Sequence, residues 1–174
     1  MKLAIFDIEG NNLYDGCTKL HCAWLYDVSN DSYHGYDPYE IHWLLDDLCY
    51  YDVVIGHNIN DFDIPVLEKL YNQEYSGIMF DTLTAARFLN PDMVGGHALK
   101  QWGKRLKVLK GDYGEQDEDA TGESVWETFD WGMYWYCKED VEVTLALFNH
   151  LVSKGLDPRK LDLNPINLSE ITYD

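Results

Sequence analysis

Three separated stretches of this sequence place acidic side chains next to the ends of predicted strands or helices. Asp7 and Glu9 follow the apolar run LAIF at 3–6, which predicts a strand buried on both faces. Because side chains two residues apart on a strand point to the same side, both carboxylates would face one space, repel each other and be costly to desolvate. A divalent cation would remove both costs. The alternative is that the strand simply ends here and the two acids face water.

The second and third stretches contain Asp63 and the pair formed by Tyr136 and Asp140. Asp63 follows the short apolar run DVVIG at 52–56 and precedes Pro65, where a helix can start. Tyr136 and Asp140 lie four residues apart in a predicted helix, so they share one face of it. Four carboxylates that converge on one pocket form a hard, all-oxygen site, which suits Mg²⁺ or Mn²⁺ and not zinc.

The elements that must position these side chains indicate an α/β protein. We predict strands at 1–10, 19–28, 33–36, 52–56 and 78–80, of which the first three form an antiparallel meander. Apolar spacing predicts helices at 41–48, from Pro65 onward, and at 81–89, 97–106 and 131–152. The 174 residues suffice for a single domain with a sizeable core, and we expect an irregular tail at 153–174. This order predicts a mixed sheet flanked by helices.

The segments that carry the acids resemble a known motif set. FDIEG (6–10), GHNINDFDIPVL (56–67) and YCKEDVEVT (136–144) resemble the three exonuclease motifs of the DnaQ-like, DEDD superfamily, and the tyrosine at 136 is typical of its DEDDy branch. The pair Asp81-Thr82 and the segment GGHALKQWGKRLKVLKGDY (95–113) extend the likeness over roughly residues 1–152. The chain is most similar to the N-terminal proofreading domain of the family A DNA polymerases of T-odd bacteriophages.

This resemblance implies a ribonuclease H-like fold, with a five-stranded mixed sheet made of the three-strand meander and two parallel strands. It implies a 3′–5′ exonuclease that releases nucleoside 5′-monophosphates from the 3′ end of single-stranded DNA. Asp7, Glu9, Asp63 and Asp140 would be the ligands of two Mg²⁺ or Mn²⁺ ions. Tyr136 would orient the attacking water, because a tyrosine phenol of ordinary pKa, about 10, is a poor base at neutral pH.

Several further residues are candidates for contacts with the substrate. Ile8 lies between the first two acids, and His57 and Asn58 lie just before the second motif. Asn58 would either hold the backbone or a base edge of the substrate, or close the turn after the strand. Phe62 would either stack on a terminal base or join the core. The basic residues Lys100, Lys104 and Arg105 would either guide the single strand or form a solvated face.

The net charge of −18 argues against binding nucleic acid through general attraction to phosphates. Metal ions and the basic residues named above would have to reverse the sign locally. Two alternatives therefore stay open: an exonuclease acting on RNA or oligonucleotides, and a catalytically inactive acidic protein that imitates DNA or docks a polymerase. The sequence also leaves open whether the nuclease is separate, acts with a separate DNA polymerase or other replication protein, or is part of a longer chain.

The cysteine pattern and the N-terminus indicate the compartment. None of the four cysteines forms a CxxC pair or a cluster with zinc spacing, so we interpret them as reduced thiols of an intracellular protein. The N-terminus lacks the layout of a signal peptide, and no apolar run approaches the length that spans a membrane. We therefore expect a soluble cytoplasmic protein, in the host cytoplasm if a phage encodes it, with no membrane partner.

Overall fold

The computed structural model describes residues 1–108, 111–114 and 124–158, and within them five strands form one sheet. The strands are β1 (Leu3–Gly10), β2 (Leu20–Asp27), β3 (Ser32–Tyr36), β4 (Val53–Gly56) and β5 (Ile78–Asp81). Their order across the sheet is β3-β2-β1-β4-β5. β1, β2 and β3 pair antiparallel, whereas β4 pairs parallel with β1 and β5 pairs parallel with β4. The predicted mixed sheet with its meander is confirmed.

Helices cover both faces of this sheet. A 3₁₀ turn at Ile41–Trp43 leads into α1 (Leu44–Leu48), and the remaining helices are α2 (Asp63–Tyr71), α3 (Thr82–Leu89), α4 (Leu99–Leu106) and α5 (Trp131–Ser153). Side chains of α1 and α2 share a core with one face of the sheet. Side chains of α3, α4 and α5 form the core on the opposite face.

The apolar run at the start of β1 is buried on both sides, as its sequence predicted. Ala4, Ile5 and Phe6 are all fully buried. Ile5 points into the core under α5, while Ala4 and Phe6 point into the core under α1 and α2. The central position of β1 therefore explains why its sequence does not alternate between apolar and polar residues.

Two helix boundaries bear on the candidate site. α2 begins at Asp63, two residues before the predicted start, and Pro65 falls within its first turn, where its missing N–H is not needed. α5 begins after Asp130, whose carboxylate accepts hydrogen bonds from the backbone N–H groups of Gly132 (2.5 Å) and Met133 (3.0 Å). Both boundaries fix the direction in which a candidate ligand projects.

The predicted irregular tail at 153–174 lies mostly outside the described residues. α5 includes Ser153, and residues 154–158 follow it without regular structure. Of the helices that the structure describes, none is both long enough and apolar enough to cross a membrane.

Candidate active site

β1 brings Asp7 and Glu9 to one end of the central strand. Asp7 pairs with Trp24 of β2, Glu9 pairs with Cys22, and both acids are half-buried. One carboxylate oxygen of Asp7, one of Glu9 and the sulfur of Cys137 on α5 all lie within 4.8 Å of one another. The two acids therefore share one space, on the face of the sheet that packs against α5.

Asp63 reaches the same end of β1 from the first turn of α2. Its Oδ1 accepts a hydrogen bond from the backbone N–H of Ile8, at 3.2 Å, and the residue is only 2% exposed. Burial raises the pKa of the Asp63 carboxyl to about 8, and the negative charges of Asp81 and Asp140 add to the rise. Hydrogen bonds from its own backbone N–H and from Ile8 oppose it. A carboxylate in this position needs either a proton or a cation to be stable.

α5 contributes the remaining candidates from one of its faces. Tyr136 and Asp140 lie one turn apart, with Tyr136 half-buried and Asp140 buried. Between them, the thiol of Cys137 donates to the backbone carbonyl of Asp7 at 3.3 Å. This contact fixes α5 against β1 at the position of the acidic pair.

A cleft of about 460 Å³ opens where these elements meet. Its lining includes every acid predicted as a ligand, the predicted tyrosine and the four candidate contacts near them: Asp7, Glu9, Asp63, Asp140, Tyr136, Ile8, His57, Asn58 and Phe62. It also includes four residues that were not predicted from the sequence: Leu13, Tyr14, Asp61 and Trp126. Four carboxylates around one cleft are the oxygen donors that Mg²⁺ and Mn²⁺ prefer, so the side chains present fit a divalent cation.

Asp81 organises the loop that precedes α2. Its carboxylate accepts from the backbone N–H groups of Asn58 (3.1 Å) and Asn60 (3.3 Å), and also from those of Leu83 and Thr84 at the start of α3. Asn58 has φ of 70°, in the left-handed region that asparagine tolerates well. Asn58 therefore closes the turn after β4, and it also lines the cleft.

Thr82 ties His57 to the same loop. The Thr82 hydroxyl donates to the carbonyl of Gly56 at 3.0 Å, and Nδ1 of His57 lies 3.0 Å from the Thr82 oxygen. For Phe62 the sequence left open whether the ring stacks on a terminal base or joins the core. The side chain packs partly against the core under α2 and also lines the cleft.

Trp126 forms a wall of the cleft that depends on distant residues. Its ring centroid lies 6.3 Å from that of Tyr136 and 5.2 Å from that of Tyr113. Its backbone carbonyl accepts a hydrogen bond of 2.9 Å from Nε2 of His21, a buried side chain whose pKa is lowered by burial. The Tyr113 hydroxyl in turn donates to the carboxylate of Asp130, which caps α5. This arrangement packs two aromatic rings against Tyr136.

The loop after β1 supplies two of the other missed residues. Leu13 and Tyr14 are 78% and 41% exposed although they are apolar or aromatic, and both line the cleft. An apolar residue in a turn rich in Asn, Asp and Gly was the available signal in the sequence. Trp126 offered no such signal, because it lies within the acidic segment at 112–130, whose composition is typical of a solvated loop. Residues 115–123 of that segment lie outside the described part.

The predicted basic residues lie on α4, apart from the cleft. Within the described chain, the cleft lining includes none of Lys100, Lys104 and Arg105. The Arg105 guanidinium donates to the carbonyls of Val94 (2.7 Å) and Gly96 (2.8 Å), so it holds the loop before α4. Lys104 is exposed and Lys100 is half-buried. Their role as a track for the substrate stays a prediction.

Comparison with known sequences gives a consistent family assignment. Residues 44–155 match the family model described as 3′-5′ exonuclease. The chain is 30% identical to the DNA-directed DNA polymerase of Enterobacteria phage T3 and 29% identical to that of Escherichia phage T7, in both cases over 94% of its length. It spans 29% of the length of each of these polymerases.

Solved structures with the same fold include polymerases and nucleases. The family B DNA polymerase of Pyrobaculum calidifontis superimposes with a TM-score of 0.64 at 17% identity, covering 87% of this chain and 24% of the polymerase. Escherichia coli RNase D superimposes with a TM-score of 0.63 at 15% identity, covering 97% of this chain and 42% of RNase D. The ribonuclease H-like fold is thereby confirmed.

Proposed function

This chain belongs to the 3′-5′ exonuclease family, and on that premise we propose that it hydrolyses single-stranded DNA from the 3′ end and releases nucleoside 5′-monophosphates. The observation that carries the proposal is the convergence of three separate segments on one cleft. Asp7 and Glu9 come from β1, Asp63 comes from α2, and Tyr136 and Asp140 come from α5.

In this proposal the four acids Asp7, Glu9, Asp63 and Asp140 would hold two divalent cations, Mg²⁺ or Mn²⁺. The chemistry that such bound cations supply is activation of water and stabilisation of the leaving oxygen. Tyr136 orients the attacking water by a hydrogen bond, because a phenol of ordinary pKa, about 10, is a poor base at neutral pH.

The lining of the cleft favours a single strand as the substrate. A cleft of about 460 Å³ is within the range of small-ligand sites, which is large enough for a terminal nucleotide. Phe62 and Trp126 offer aromatic surfaces, and stacking on such a ring is worth about 1–3 kcal/mol per base. Ile8, His57 and Asn58 contact the terminal nucleotide, and the basic residues of α4 contact the strand further from its end.

Because the two phage relatives are DNA polymerases of more than three times this length, the natural substrate in our proposal is the 3′ end that a DNA polymerase produces. The polymerase is either a separate protein or the remainder of a longer chain. Bound cations also lower the repulsion between an acidic protein and its polyanionic substrate, which a net charge of −18 would otherwise make severe.

The test is digestion of 5′-labelled single-stranded DNA, double-stranded DNA and single-stranded RNA of matched sequence, with Mg²⁺, Mn²⁺ or a chelator. We expect a ladder that shortens stepwise from the 3′ end of single-stranded DNA, and no digestion in the chelator. Faster digestion of RNA would identify the substrate as RNA. A failure to cut any of the three strands would support the acidic interaction protein instead.

A matched pair of variants separates the acids of the proposed site from other acids of the cleft. Asp7→Ala removes a proposed ligand, whereas Asp61→Asn removes a charge from an exposed acid of the same lining. Loss of a ligand should cost at least the ~10–100-fold that accompanies loss of an outer-shell partner. Equal activity of wild type and Asp7→Ala would contradict the proposal.

A further inference from the structure

The thiol of Cys137 lies close to two acids of the proposed site, Asp7 and Glu9, although a centre with only oxygen ligands does not involve sulfur. Its Sγ is 3.7 Å from Oδ2 of Asp7, and it lies within 4.8 Å of a carboxylate oxygen of Glu9. Cys137 is fully buried, so this sulfur is held in place by the packing of α5 on β1. Nothing in the proposed reaction requires a thiol at this position.

The separation of these atoms matches that of two ligands on one tetrahedral ion. Zinc binds thiolate sulfur at about 2.3 Å and carboxylate oxygen at about 2.0–2.2 Å, which places the two atoms about 3.5 Å apart at a tetrahedral angle. The Asp7–Cys137 separation is within a few tenths of an ångström of that value. A Glu9 carboxylate oxygen lies within 4.8 Å of both atoms. Water would complete the shell.

We propose that Asp7, Glu9 and Cys137 bind a thiophilic divalent cation of the zinc class. Mg²⁺ selects oxygen ligands and leaves the thiol protonated, whereas zinc and cobalt displace the thiol proton to solvent and bind the thiolate. The proposal deepens the proposed function, because it shares two acids with the proposed catalytic centre. An ion bound in this way uses the carboxylates of both acids of β1, so zinc-class ions and Mg²⁺ compete for the same two ligands.

The experiment is titration of the reduced and chelator-treated 174-residue chain with Co²⁺, which substitutes for zinc and reports sulfur ligation by absorbance. Wild-type protein should develop a near-ultraviolet charge-transfer band between thiolate and cobalt, and Zn²⁺ should abolish it by displacing Co²⁺. Cys137→Ser should remove the band and weaken Zn²⁺ binding at least as much as loss of an outer-shell partner does, about 10–100-fold.

Two other cysteines provide matched controls. Cys17 is also fully buried and also donates to a backbone carbonyl, that of Lys19 at 3.6 Å, but it belongs to the core on the opposite face. Cys49 is exposed. Cys17→Ser and Cys49→Ser should both keep the band. A band that disappears in Cys49→Ser would identify an adventitious surface site and overturn the proposal.

A second variant keeps the test decisive if Cys137→Ser does not fold. Glu9→Gln removes a half-buried carboxylate and leaves every thiol in place, and it should also weaken Co²⁺ binding. Absence of the band in wild type, its survival in Cys137→Ser, or an unchanged Co²⁺ affinity in Glu9→Gln would refute the site. The absorbance is read without nucleic acid, so failure here is distinguishable from failure of the exonuclease assay.

Discussion

Replacing Asp63 with asparagine should stabilise the cation-free protein at alkaline pH. The folded state holds the carboxyl of Asp63 with a pKa of about 8, whereas in the unfolded chain its pKa is near 3.8. Between these values the folded state binds a proton that the unfolded state has released. The free energy of unfolding of the wild type therefore falls as pH rises through this window, and the loss is complete above pH 8.

The size of the effect follows from the same two pKa values. Their difference corresponds to about 6 kcal/mol at high pH, which is an upper limit because Asp140 and Asp81 share the electrostatic cost. We expect Asp63→Asn to recover at least about 2 kcal/mol above pH 8, or roughly 4–8 °C in Tm for a domain of this size. The asparagine oxygen can still accept the hydrogen bond from Ile8 that Oδ1 of Asp63 accepts.

The assay is urea unfolding in the presence of a chelator, at a series of pH values from 5 to 9. The stability difference between variant and wild type should be small near pH 5 and should widen as pH rises. Saturating divalent cation should reverse the order, because it stabilises only the form that binds it, by RT ln(1 + [L]/Kd).

Asp61→Asn is the control for general charge repulsion at the cleft, because Asp61 is exposed and lines the same cleft. Its pH dependence should follow that of the wild type. If Asp63→Asn and the wild type lose stability in parallel between pH 5 and 9, then burial does not raise the pKa of the Asp63 carboxyl, and the reasoning fails.

Three further predictions concern residues around the cleft. Trp126→Ala should raise KM for single-stranded DNA about tenfold, the equivalent of about 1.4 kcal/mol of stacking, and Trp126→Phe should restore most of it in steady-state kinetics. Lys104→Gln should reduce the slope of log K against log salt by about 1 in binding titrations, if this exposed side chain contacts a phosphate; an unchanged slope would remove α4 from the substrate path. Asp130→Ala should lower the free energy of unfolding by about 0.5–2 kcal/mol through loss of the α5 cap, and Asp130→Asn should lose much less in the same urea titration.

Local sequence patterns were sufficient to predict the elements and to predict that the four acids lie near one another. The apolar run of β1 fixed its central position, and the spacing of Tyr136 and Asp140 placed both on one face of α5. The start of α2 was predicted two residues late because proline is common at the first helical position, whereas here Pro65 is the third residue of α2 and still lies in its first turn. The shift matters, since it makes Asp63 the first residue of the helix.

The residues that could not be predicted depend on contacts between distant parts of the chain. Trp126 lines the cleft because its backbone is bonded to His21, 105 residues earlier, and local composition carries no record of that contact. The same holds for Cys137. Zinc spacing is a pattern within the sequence, whereas the proximity of Cys137 to Asp7 and Glu9 arises only when α5 packs across β1.

The hydrogen bonds of Asp81 have a consequence for motion at the cleft. One carboxylate accepts hydrogen bonds from the backbone of the loop before α2 and from the first turn of α3, so a movement of Asp81 disturbs both segments. The amide protons of Asn58, Asn60, Leu83 and Thr84 should therefore exchange with solvent deuterium as one cooperative group, at a common rate. Such coupling would make the floor of the cleft a single mechanical unit, which keeps its shape while successive nucleotides enter and leave.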